Sequence, residues 1–96
     1  MNAWFDQFSV RCAELASRHR APIEAPHLNA AVARELLDLT REVAHTGERQ
    51  FAPLAAFVVG ESVARMLAAN PALDTEDVVA FVQELKQALS TDGSSG

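Results

Sequence analysis

The chain has 96 residues, the size of one small domain, and its 49% hydrophobic and 22% charged residues belong to a compact globular fold rather than to a disordered segment. Eight basic against thirteen acidic residues give a net charge of -5, and Arg11, Arg18, Arg20, Arg34, Arg41, Arg49, Arg65 and Lys86 are spread along the sequence, so no basic stripe is available for nucleic acid. Cys12 is the single cysteine, which excludes an internal disulfide and a cysteine zinc cluster and fits a reducing cytoplasm.

The amino terminus, MNAWFDQFSVR, carries an acid at Asp6 and lacks the basic start and unbroken apolar run of a signal peptide. Trp4, Phe5, Phe8, Cys12, Leu15 and His19 then recur at three- and four-residue steps, which predicts a first helix over 3–18 with Asn2 as its cap. Pro22 and Pro26 make the following stretch a connector. A second helix, about 28–44, sets Val32, Leu36, Leu39 and Val43 on one stripe, widened by Leu37 and Ala44. Gly47 is expected to end it in the left-handed conformation, and Pro53 suits the first turn of a third helix over 53–69.

That third helix is apolar almost all round, interrupted only by Glu61, Ser62 and Arg65, the pattern of a helix covered on several sides. Ala56, Gly60 and Ala64 are four apart, a spacing of small side chains that permits close approach of another helix. The charges keep the stretch from being an uncharged membrane span of about 20 residues. Asn70 and Pro71 stop it, and either Asp74 or Thr75 can cap a fourth helix with Glu76 and Asp77 in its first turn. Val78, Val82, Leu85 and Leu89 form its core stripe. The fold predicted is all-α: a single small domain over 1–90 built as a four-helix antiparallel bundle, followed by a flexible polar tail at 91–96. Its core is expected on Phe8, Leu15, Val32, Leu36, Leu39, Val43, Phe57, Leu67, Val82 and Leu85.

The chemical inventory is thin. His19, His27 and His45 include no pair at one-turn spacing, so no metal site is expected. Ser9, Ser17, Ser62 and Cys12 lack a glycine-flanked elbow, and no phosphate-loop glycine pattern is present. No cofactor is expected and no catalytic set can be assembled. Glu61 and Arg65 read as a surface ion pair. The densest polar patch is AHTGERQFAP, from Ala44 to Pro53. Arg41 and His45 lie one turn apart near the end of the second helix, and Glu48 and Arg49 follow in the turn. These four residues either brace the turn between helices or form a docking or anion-binding site beside the amino end of the third helix.

The stretch LLDLTREVAHTGERQFAPLAAFVVG, Leu36 to Gly60, resembles the signature of a small actinobacterial domain family of unknown function. The resemblance rests on Leu37, Asp38, Leu39, Arg41, Val43, Ala44, His45, Glu48, Arg49, Ala52, Pro53, Leu54, Phe57 and Gly60, and the aromatic start with Trp4 adds to it. Thr40 stands where that pattern has alanine. Such domains occur alone or joined to molybdenum cofactor guanylyltransferase, so the resemblance implies an accessory role in making molybdopterin-guanine dinucleotide. It implies no catalysis. The expectation is a cytoplasmic, non-catalytic helical interaction module that docks on a molybdenum cofactor enzyme or on itself, without nucleic-acid or membrane partners. The alternative is a small-ligand module in which Arg41, His45 and Arg49 hold a phosphate-bearing cofactor or nucleotide.

Overall fold

A computed structural model describes residues 2–95, with side chains through residue 90. Its helices are α1 (Ala3–Arg18), α2 (Ala30–Thr46), α3 (Phe51–Ala69) and α4 (Thr75–Ser95). No strand occurs among the described residues, so the all-α class and the helix count read from the sequence hold. The side chains of the expected 91–96 tail lie outside the described residues, while the backbone of α4 continues to Ser95. The chain forms two compact units, Met1–Ala30 and Ala31–Gly96.

The first unit is α1 with its connector. The Asn2 side chain accepts a hydrogen bond from the Phe5 N–H at 3.1 Å, satisfying a donor that the first turn leaves unpaired. At the other end the Arg20 N–H donates to the Ser17 carbonyl at 3.1 Å and the Ala21 N–H to the Ala16 carbonyl at 3.0 Å. This is a Schellman closure, and it puts Arg20 at φ 65°, a left-handed position that glycine usually fills. Trp4 stacks on Phe8 one turn later, with ring centroids 5.2 Å apart, and meets Phe5 edge-on at 4.8 Å. Phe8 and Leu15, expected in a core, are exposed. Within its unit α1 has no second helix to close over them.

The second unit is closed by one residue from each of its helices. Leu39 of α2, Val59 of α3 and Val82 of α4 are buried together, with Leu36, Val63, Phe81, Leu85 and Leu89 packed against them. The short turns at 47–50 and 70–74 make consecutive helices run antiparallel. Of the expected core, Leu36, Leu39, Val82 and Leu85 are in place, and Val32 and Val43 are half-buried. Phe57 and Leu67 are not: Phe57 is 71% exposed and Leu67 also faces out. Phe57 precedes the buried Val59 by two residues and so points about 200° away around the helix. Leu37 is likewise exposed, while Ala33 and Val78 are buried.

Two glycine expectations are corrected. Gly47 has no positive φ, and its N–H simply donates to the Val43 carbonyl at 2.9 Å. What glycine provides there is room, because a Cβ would lie 2.8 Å from the Phe51 ring. At Gly60 nothing lies within 4 Å of a Cβ, so the small-residue stripe serves no close helix packing within the chain. Helix α3 begins two residues before the expected Pro53. Phe51 and Ala52 donate to the Glu48 and Arg49 carbonyls at 2.9 and 3.1 Å, and Pro53 has no donor to satisfy. Asn70 closes the helix, accepting from the Ala72 N–H at 3.2 Å. Asp74 and Asp77 then cap α4 reciprocally, each backbone N–H donating to the other's carboxylate at 2.9 and 3.0 Å.

Candidate docking site

Two surfaces carry functional interest, and both depend on how α3 is set. The first is the turn patch. Arg41, Ala44, His45 and Arg49 line a shallow pocket of about 260 Å³, because Arg41 and His45 share a face one turn apart and the tight turn brings Arg49 back toward them. Glu48 is not among those walls. Its carboxylate accepts a hydrogen bond from the Gln50 amide at 2.7 Å, so the cluster gathers three of the four expected residues. All four are exposed.

The charge of the pocket is nonetheless moderate. Asp38 lies 3.9 Å from the Arg41 guanidinium, and the carbonyls that end α2 present the negative pole of its dipole. The expected contribution of backbone N–H groups from α3 is missing, since Phe51 and Ala52 already donate within the turn and Pro53 has no N–H. His19 and His27 are exposed and far apart in role: His19 closes α1 through its backbone, and His27 sits in the connector. No group of three His, Cys, Asp or Glu side chains able to hold a metal occurs among the described residues.

The second surface is the outward side of α3. Leu54 is 65% exposed, Phe57 71% and Val58 61%, and Phe57 and Val58 lie three and four residues after Leu54, flanking it one turn on along the same side. Only 6% of the most apolar window of Phe51–Ala69 is buried. The expectation that this helix is enclosed is therefore wrong, because in a unit of three helices each turns just one side inward. Glu61 and Arg65 interrupt the outward side and pair with each other at 2.6 Å, the surface pair expected. Between α2, α3 and α4 an almost wholly apolar groove of about 420 Å³ is bordered by Leu39, Val43, Val58, Phe81, Leu85 and Leu89. It continues the apolar surface of α3 through Val58.

By length and composition α3 could cross a membrane, with a mean hydropathy of 1.4. Its Val59 is nevertheless packed against Leu39 and Val82, and a charged pair sits past its middle, features of a helix with one side on protein. The sequence held the signal for this surface, near-uniform apolarity, but that signal does not distinguish burial within the chain from burial against something else.

A family model described as Domain of unknown function (DUF6457) matches residues 1–94. The chain belongs to this family. The DUF6457 match runs through both compact units and through the whole Leu36 to Gly60 signature. No curated protein and no solved structure matches the chain.

Proposed function

We propose that this DUF6457 chain is a non-catalytic helical interaction module of the cytoplasm, docking through the outward side of α3. Its partner in this reading is the guanylyltransferase of molybdenum cofactor biosynthesis. The observation that carries the docking surface is the exposure of Leu54, Phe57 and Val58 on one helix. A contiguous apolar patch of this kind on a small domain marks an interaction site. The partner is supplied by the sequence resemblance described above. In support of a binding rather than a catalytic role, the side chains gathered at the turn are Arg41, His45 and Arg49, groups that hold a ligand rather than a nucleophile with its base.

The small-ligand alternative gains from the same cluster, since Glu48 is turned to Gln50. It loses by Asp38 beside Arg41 and by the carbonyl end of α2, which together offset much of the positive charge an anion would meet. One titration separates the readings: the purified guanylyltransferase of the same organism is titrated with the wild-type chain, Phe57→Ser and Arg49→Ala. Binding that weakens at least about tenfold in Phe57→Ser and is unchanged in Arg49→Ala is the expected outcome. Absence of binding, or loss in Arg49→Ala with Phe57→Ser intact, would overturn the proposal.

A further inference from the structure

We infer that the outward side of α3 also pairs with the same side of a second copy, antiparallel about a two-fold axis midway between Glu61 and Arg65, placing Arg65 of each chain against Glu61 of the other. The inference rests on the docking surface proposed above and adds an occupant to it. Two independent features of the face fix this geometry. The first is charge. Glu61 and Arg65 lie four residues apart on the exposed side, and a two-fold axis midway between them exchanges opposite charges, whereas a parallel pairing in register sets like against like. The second is size. The half of the face before this doublet carries the large Leu54, Phe57 and Val58, and the half around and after it carries the small Ala64, Ala68 and Ala69, all exposed.

Antiparallel pairing about this axis brings Phe57 against Ala68 and Val58 against Ala69, residues eleven apart that lie on the same flank of the helix, so large side chains meet small ones and the helices can close together. Parallel pairing would set Phe57 on Phe57 and leave the alanines facing each other across a gap. Gly60, with nothing within 4 Å of a Cβ in its own chain, lies on the border of this face, where its lack of a side chain removes an obstacle to approach. The net charge of -5 opposes association of two copies at long range. The exchange of Glu61 with Arg65, already paired within each chain, therefore sets the orientation of the two copies, and the apolar contact of Phe57 and Val58 holds them.

The overlap from Phe57 to Ala69 is about 20 Å long and about 10 Å wide. That is on the order of 200 Å² per chain against about 800 Å² in a standard stable interface. The dimer is accordingly weak and exchanges readily with a partner that covers the same surface. This makes the second copy a competitor of the partner rather than a permanent subunit.

Sedimentation velocity over a concentration series from low to high micromolar tests the inference on the wild type, Glu61→Arg, Arg65→Glu, the double exchange and Phe57→Ala, with helix content checked for each. The wild type should dimerise reversibly at the upper end. Each single charge reversal should weaken the dimer at least about tenfold, and the double exchange should restore it to within about threefold of wild type. Phe57→Ala should weaken it without altering helix content. A strict monomer throughout, a double exchange that restores nothing, or a dimer indifferent to Phe57→Ala would each overturn the inference. A monomer that still binds the guanylyltransferase through Phe57 removes the second copy and leaves the proposed function standing. A dimer that does not bind that enzyme does the reverse.

Discussion

Replacing Leu39 with alanine, beside the same truncation at Phe57, gives a direct test of which way α3 faces. Leu39 is 2% exposed and meets Val59 and Val82 where the three helices of the second unit converge. Truncation removes three carbons, worth about 0.8 kcal/mol each or about 2.4 kcal/mol of transfer free energy. A cavity contribution would add to this, but Leu39 also borders the open apolar groove, so the void joins that groove rather than becoming sealed. The expected loss is therefore about 2 to 3 kcal/mol, in the lower part of the range for buried leucines. In a chain of this size that is a large share of a total of about 5 to 15 kcal/mol, and it lowers the melting temperature by about 10 to 20 °C. Phe57→Ala should behave quite differently. A core phenylalanine costs about 3 to 5 kcal/mol, whereas a ring that is 71% exposed should cost under about 1 kcal/mol. Urea titration followed by helical circular dichroism at low protein concentration, with equal slopes for the variants, measures both. A loss at Leu39 below about 0.5 kcal/mol, or a loss at Phe57 of about 3 kcal/mol or more, would refute the assignment of inward and outward sides.

Two backbone predictions follow from the same fold. Gly60→Ala should stabilise the monomer by about 0.5 to 1 kcal/mol, because the position is helical, exposed and unobstructed; thermal melts showing destabilisation would mean that the face is covered within the chain. Arg20→Gly should raise stability by up to about 1 kcal/mol by relieving a left-handed backbone at φ 65°, and a loss in the same melts would indicate that the arginine side chain, rather than the turn, sets the end of α1.

The helices themselves were legible because local chemistry specifies them. Asn2 before an apolar repeat, Asn70 with Pro71, and Asp74 with Asp77 three residues on all act over a few residues, and each is found capping or closing the helix it flanks. The stripe of α4 was legible for the same reason. Less could be read of α3, where apolar residues occupy every direction and periodicity has nothing to contrast. Phe57 and Val59 look alike in sequence, yet one is exposed and the other buried. Gly47 illustrates a second limit. A glycine at a helix end suggests left-handed backbone, but here that conformation falls on Arg20, while Gly47 makes room for the Phe51 ring, a contact that the sequence does not encode locally. At the turn patch, spacing placed Arg41 and His45 on one face. That Arg49 joins them while Glu48 turns to Gln50 depends on how the turn folds.

The central claim is that Leu54, Phe57 and Val58 form an outward face that association covers. Carbene footprinting resolved to single residues addresses it most directly, with the chain labelled alone at low concentration and again at high concentration or with the guanylyltransferase present. The account predicts heavy labelling of these three side chains in the dilute chain, little at Leu39 and Val82, and loss of the α3 labelling on association with Arg41 and Arg49 unaffected. Protection of Phe57 in the dilute monomer, or labelling that persists undiminished in the complex, would contradict it.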